Sequence, residues 1–307
     1  MSTIGITIAC GGRDDLLMEC LASLGDFDGP VVVVCDGWKP TRDAAWPGRV
    51  SEIIHTTQRV GISMTWNAGI AALLRRGCDP ILVQNDDTWL PPNWHYEFTR
   101  LFAEHPEVRC ACAVDRNVAA SVFPGLIPWS YDEAWQRLPP RRTQVEFMRY
   151  YGAAGFDEFA ELWPGRLSAA GVPDFLPCRM NGASFALSRK AVQEDGLFDV
   201  AYAPPGTSED YDMWMRLLSR HGPQVLGMAT RVFVHHYRSA TLSALNRQHT
   251  QSVALANNVL FRARWCQDAA PQALFVWLAG GGGAPGAQAL PWDAVVPPCP
   301  VVPSVIP

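Results

Sequence analysis

Pro80-Ile81-Leu82-Val83-Gln84-Asn85-Asp86-Asp87-Thr88-Trp89-Leu90-Pro91-Pro92 is the stretch from which the fold is read. A short apolar run breaks off on an amide and two adjacent carboxylates, and a proline pair follows. Apolar residues after a proline predict the end of a buried strand. Asn and Asp at its tip predict a turn held by side-chain to backbone bonds. In an open α/β sheet, ligands bind outside the carboxyl ends of the strands. Asp86 and Asp87 would repel each other there, so a divalent cation is the natural neutraliser, and oxygen ligands suit Mg2+ or Mn2+. An isolated Asp-Asp is more often a solvated polar turn. The rest of the chain decides between the two.

Upstream, residues 3–10 alternate β-branched and small side chains and predict a first strand. Leu16, Leu17, Cys20, Leu21 and Leu24 fall on one helical stripe. Gly25 and Gly29-Pro30 break it, and residues 31–34 predict a fully buried strand ending on Cys35-Asp36-Gly37. Residues 51–55 suit a short third strand, and a helix over about 63–76 stops at Gly77. Downstream of the quoted stretch come a helix over 93–104 and a strand over 108–114. Strands alternating with helices, all tips pointing one way, predict an α/β fold: a mostly parallel sheet with helices on both faces.

From 115 to 178 the periodicity fades into Trp, Pro, Arg and Gly, including the basic run 137–149. That run suits either an anionic or stacking ligand or a solvated face. Regularity returns at 180–187. Ser208-Glu209-Asp210 predicts a helix start, with Ser208 as cap and two carboxylates in the first turn of a helix reaching about 220. Residues 231–234 predict a strand delivering His235-His236, whose side chains must point to opposite faces. A helix over about 243–265 follows, and residues 280–307 form a Gly-rich then Pro-rich tail expected not to pack by itself.

Composition narrows the class. Of 307 residues, 48% are hydrophobic and 18% charged, which means a substantial core; the formal charge of −5 argues against a nucleic-acid-coating protein. The nine cysteines are odd in number, form no CxxC pair and sit mostly in apolar runs. Buried thiols in a reducing, cytoplasmic setting are therefore expected, not a disulfide framework or a zinc site. Neither a signal sequence nor an apolar run of membrane-spanning length is recognisable, so no integral membrane segment is expected.

The polar groups at strand ends and helix starts are Arg13, Asp36, Asn85-Asp86-Asp87, Glu209-Asp210 and His235-His236. In this order the chain resembles a GT-A-fold glycosyltransferase, most similar to family 2 of mostly inverting sugar transferases, over roughly residues 3–265. The resemblance implies a nucleotide-sugar-binding half at 1–114, an acceptor and catalytic half of the same domain at 115–266, and a separate tail at 267–307. Asp36 resembles the acidic end of the family's second strand, which touches the nucleotide, although Cys35 stands where a first aspartate is usual. Arg59-Val60-Gly61 with Trp66-Asn67-Ala68-Gly69-Ile70 is similar to the donor-side loop and helix. Asn85-Asp86-Asp87 takes the place of the metal-binding DxD motif, with Asn85 or Gln84 as its first member. Glu209-Asp210 matches the pair that supplies the catalytic base, and His235 or His236 matches a late histidine near metal and diphosphate. Arg13 suits bidentate binding of the diphosphate, and equally a surface role.

The expected activity is metal-dependent transfer of a sugar from a nucleotide-diphosphate sugar to an acceptor hydroxyl, with inversion. Asp210 is the expected base, and Glu209 orients it or contacts the acceptor. Mn2+ or Mg2+ would be held by Asp86, Asp87 and a histidine. The acceptor stays open among a glycan, a lipid-linked glycan, a small molecule, a protein and a modified DNA base. Two alternatives are a nucleotidyltransferase and a catalytically dead nucleotide-sugar-binding protein. The former usually needs a lysine in a Gly-rich loop after the first strand, whereas the only lysines here are Lys39 and Lys190.

Overall fold

The computed structural model describes residues 3–39, 49–123, 126, 156–177, 180, 182–237 and 247–267. Its centre is an eight-stranded sheet. In chain order the strands are β1 (Gly5–Cys10), β2 (Val31–Cys35), β3 (Glu52–His55), β4 (Ile81–Asn85), β6 (Cys110–Val114), β7 (Phe175–Leu176), β8 (Ser184–Leu187) and β9 (Leu226–Phe233). Across the sheet they lie in the order β3-β2-β1-β4-β8-β6-β9-β7. A separate two-stranded ribbon pairs β5 (Thr88–Trp89) with β10 (His235–His236).

Side-chain alternation explains how the sheet is covered. Ile6, Ile8, Val31, Val33, Leu82, Ala111 and Ala113 face one core with Leu17, Cys20 and Leu21 of α1 (Asp14–Ala22) and Trp94, Phe98 and Leu101 of α3 (Trp94–Glu104). Their strand neighbours Ala9, Val32, Val34, Ile81, Val83, Cys110 and Cys112 face the other. There they meet Trp66, Ile70 and Leu73 of α2 (Ile62–Arg75) and Met213, Trp214 and Leu217 of α7 (Glu209–His221). A strand buried on both faces is apolar at most positions, which is why these runs show no regular polar alternation in sequence. Among the described residues the cysteines are free thiols, and all except half-buried Cys266 are buried, as expected.

The sheet is mostly parallel, as expected, and two strands are the exceptions. β8 runs antiparallel between β4 and β6, and β7 runs antiparallel to β9, so two strands oppose the rest. Strand direction is set by the connections, which residue periodicity does not encode. The segment expected to be irregular also contains helices: α4 (Arg116–Val122) and α5 (Phe156–Ala169). Phe156, Phe159, Ala160, Trp163 and Leu167 form a helical stripe, but Pro164 within α5 hid it. Trp163 is fully buried and its indole N–H donates to the Thr230 carbonyl at 2.8 Å. α6 (Arg189–Asp195) and α8 (Arg247–Trp265) complete the helices named here. The basic run 137–149 and the tail 280–307 lie outside the described residues, as do the first residues of the last expected helix.

Helix α2 is seated on β1 through Gly69. A Cβ there would collide with Oγ1 and Cβ of Thr7, a short β-branched side chain locked in the first strand. Gly69→Ala is expected to lower stability by about 1–3 kcal/mol through overpacking. Denaturant unfolding measures it, and a variant as stable as the parent would show that helix and sheet can separate there.

Candidate functional site

The carboxyl ends of β1, β2 and β4 open into a cleft of about 520 Å³. Asn85, Asp86, Asp87 and His236 line it together with Glu209 and Asp210 of the α7 start. Residues more than 120 positions apart in sequence thus share one space.

Asp86 is held at the strand tip. Its backbone N–H donates to the Ala9 carbonyl at 3.2 Å, and its Oδ2 accepts from the Gly11 N–H at 3.1 Å. Asp87 is tied through its carbonyl, which accepts from the Tyr237 N–H at 2.8 Å. Both carboxylates are buried, at 4% and 5% exposure. Antiparallel pairing of β10 with β5 sets Thr88 opposite His236 and decides which histidine joins them. His236 lines the cleft, with Nε2 3.5 Å from Asp87 Oδ1 and Nδ1 3.5 Å from Asp115 Oδ2. Burial works against the charge of His236, but Asp87 and then Asp115 outweigh it and raise its pKa to about 9. His235, buried at 2% exposure, packs instead among the rings of Tyr237 and Phe156, with centroids 4.5 and 6.2 Å away.

The donor-side residues divide. Asp36 lines the cleft, but its carboxylate braces the adjoining loop: Oδ1 accepts from the Val60 N–H at 2.6 Å and Oδ2 from the Gly61 N–H at 3.2 Å. Gly61, with φ 87°, opens α2 in a conformation that favours glycine, and a Cβ there would press on Pro204. Exposed Arg59 lines the cleft and donates to the Gly11 carbonyl at 2.9 Å. Asn85 presents a buried Oδ1 with no hydrogen-bond partner among the described residues. Arg13 and Asn67 are not among the lining residues. The Arg13 guanidinium makes a two-pronged bond to Asp15 at 2.7 and 2.9 Å, and the Asn67 amide is spent on the Phe198 backbone at 2.8 and 3.0 Å.

At the head of α7, Glu209 is buried, and its Oε2 has no hydrogen-bond partner among the described residues. Asp210 Oδ1 accepts from the Tyr211 N–H at 2.8 Å. Its Oδ2 fills the space a Cβ on Gly182 would occupy, so only glycine leaves room for the carboxylate there. Burial raises the pKa of both acids, and the Asp210 charge raises that of Glu209 further. Ser208 does not cap the helix, contrary to expectation. It adopts the left-handed conformation, φ 70° and ψ −6°, and its hydroxyl donates to Asn258 Oδ1 at 2.8 Å. An N-cap side chain needs an extended backbone to reach the helix N–H groups, and here the tertiary partner prevails.

Sequence reasoning missed Asp115, buried at the tip of β6. Its Oδ1 accepts from the Val118 N–H at 2.8 Å at the start of α4, while Oδ2 faces His236. A carboxylate directly after an apolar strand, the signature that marked Asp36 and Asp86, would have found it. Among the described residues no three His, Cys, Asp or Glu side chains converge closely enough to form a metal-holding cluster by themselves. The buried Asp86–Asp87 pair nonetheless offers hard oxygen donors, and His236, which without a cation shares its charge with Asp87 and Asp115, would have to give up its proton to add an imidazole; such a donor set suits Mn2+ or Mg2+.

No protein-family model matches the chain, and neither does any curated protein. Solved structures do. A mannosyltransferase, PcManGT from Pyrobaculum calidifontis, in complex with GDP-Man and Mn2+, aligns over 86% of this chain at 14% identity with a TM-score of 0.51. This chain spans 64% of that protein's length. S. aureus TarS 1-349 aligns over 91% of this chain and 79% of its own, at 10% identity and a TM-score of 0.45; its complex with UDP-GlcNAc also matches at 10% and 0.45, covering 91% and 80%. The fold is that of the GT-A glycosyltransferases, an α/β architecture around a mostly parallel sheet. Among the described residues no helix is long and apolar enough to cross a membrane.

Proposed function

We propose that this chain is a glycosyltransferase that moves a sugar from a nucleotide-diphosphate sugar to an acceptor hydroxyl, with inversion and with the help of Mn2+ or Mg2+. The observation that carries the reading is one cleft, in a GT-A fold, where the strand-tip group Asp86, Asp87 and His236 meets the helix-start acids Glu209 and Asp210. The first group would hold the cation and the second would handle the acceptor proton. Arg59, a cation at the rim, suits the diphosphate, and Asn85 Oδ1 suits a hydroxyl donor of the sugar or ribose. When bound, the ion supplies Lewis-acid stabilisation of the charge that grows on the departing diphosphate.

The chain's own part is proton transfer and positioning. The acceptor oxygen forms a bond to the anomeric carbon as its proton passes to the Asp210 carboxylate. The bond from that carbon to the diphosphate oxygen breaks, and its electron pair leaves with the nucleoside diphosphate. Attack from the face opposite the leaving group inverts the centre. Burial and the neighbouring Asp210 charge both push the Glu209 carboxyl toward its neutral form, which lessens the negative charge beside the base.

The first test needs no acceptor. UDP or GDP with Mn2+ should raise the melting temperature, and a hundredfold excess over Kd corresponds to about 2.7 kcal/mol. EDTA should remove most of that gain, and Asp87→Asn should abolish its metal dependence. A nucleoside-diphosphate affinity indifferent to EDTA would overturn the metal assignment. A panel of nucleotide sugars scored for hydrolysis with Mn2+ then identifies the donor.

A further inference from the structure

The catalytic pair is preceded by a stretch of backbone that the last helix holds from outside. Ser208 is the only non-glycine residue with positive φ among the described residues, at 70°. A side chain in that left-handed region is strained, and such strain persists only where surrounding contacts determine it. The contacts are at hand. Asn258 of α8 accepts the Ser208 hydroxyl at 2.8 Å. The preceding residue, Asn257, clasps the Ala203 backbone with both ends of its amide, accepting from N at 2.9 Å and donating to O at 3.0 Å. The Ser208 carbonyl accepts the first hydrogen bond of α7, from the Asp212 N–H at 2.9 Å. The conformation of this one residue therefore sets the direction in which Glu209 and Asp210 leave the loop.

We propose that Asn258 is a positioning residue, pinning Ser208 in its left-handed conformation so that the helix-start acids point into the cleft. The inference rests on the glycosyltransferase reading for its kinetic consequence and on geometry alone for its conformational part. Asn258 and Ser208 themselves line the cleft, so the rescue by glycine at 208, which a direct contact of Asn258 with substrate would not permit, is what distinguishes action through Ser208. Its loss would let Ser208 relax to an ordinary backbone region and swing Asp210 away from the space left by Gly182. Glycine at 208 would adopt the same left-handed conformation without any side-chain bond.

The experiment is a rescue. Asn258→Ala is expected to lower kcat for transfer roughly tenfold, with the donor KM almost unmoved, because the strand-tip group is untouched. Ser208→Gly in the Asn258→Ala background is expected to restore most of that loss, since glycine supplies by itself what Asn258 enforced. Leu255→Ala, at an exposed position of the same helix, should leave kcat at the parent value. A double variant as slow as Asn258→Ala overturns the proposal, as does an Asn258→Ala enzyme with parental kcat. The melting temperature separates the two readings. Ser208→Gly should recover stability lost in Asn258→Ala whether or not sugar is transferred. If that thermal recovery is seen in a protein without transferase activity, the pinning stands and the functional reading falls.

Discussion

Asp210→Asn is expected to cut the rate of sugar transfer by about 10²–10⁴-fold, the usual contribution of a general base. The amide keeps the shape that fits against Gly182 and the acceptor for the Tyr211 N–H, but it cannot take up a proton. Donor affinity should scarcely change, because Asp86, Asp87 and His236 are intact. Glu209→Gln is the control. A modest loss leaves Asp210 as the base, whereas a collapse confined to Glu209→Gln moves the role one residue back. The pH profile gives a second readout. Burial raises the Asp210 pKa, so the acid limb of kcat should fall above the ordinary carboxylate range and vanish in Asp210→Asn. The sign for stability is the same in origin. A carboxylate whose folded pKa is raised binds its proton more tightly in the native state, so its ionisation erodes stability as pH rises from the unfolded value. An Asp210→Asn protein that transfers at the parent rate would leave these acids as complements of the helix dipole only.

Asp212→Ala should be the most destabilising single change near the site, costing about 3–5 kcal/mol. Its carboxylate, 1% exposed, accepts from the Trp265 indole at 2.9 Å, the Tyr202 hydroxyl at 3.1 Å, Arg216 Nε at 3.2 Å and Arg264 at 3.3 Å. Removing it strands two buried neutral donors, while Arg216 keeps its bonds to the Asp195 and Leu197 carbonyls and Arg264 keeps its pairing with Asp199. The arginines retain some access to water, which limits their share. Trp265 and Arg264 belong to α8, so the variant should also loosen the helix that holds residues 203–208. Urea unfolding gives the loss in stability, and hydrogen exchange of α8 shows whether it is local. Asp212→Asn, which still offers one acceptor oxygen to Trp265 and Tyr202, should cost less. A loss below about 1 kcal/mol in Asp212→Ala would mean that this hub is replaceable by water.

Much of the architecture could be read from local pattern. The strand tips at Asp36 and Asp86 and the helix over Ile62–Arg75 fell within a residue or two of expectation, because each is announced by an apolar period and its interruption. The helix opening at Glu209 was legible from the carboxylates of its first turn, although Ser208 does not cap it as expected. What escaped was set by partners distant in sequence. Asp36 carries the sequence signature of a ligand residue, yet its oxygens are engaged by a loop 24 and 25 residues later. Asn67 sits in a suggestive motif, but its amide is taken by Phe198, 131 residues away.

The sequence by itself determined that strands alternate with helices and that carboxylates stand at strand ends and at a helix start. Periodicity and local charge depend only on neighbours along the chain, so they survive without a fold. The tertiary structure alone decided that β8 runs against its neighbours, that His236 and not His235 faces the cleft, and that Ser208 is held left-handed by Asn258. Each of those outcomes depends on non-local pairing: β4 and β6 flanking β8, β10 registering against β5, and an α8 amide reaching a loop 50 residues earlier. A one-residue slip of β10 would exchange the faces of the two histidines. Pairing register between distant strands is a property of the packed molecule, and no local run of residues encodes it.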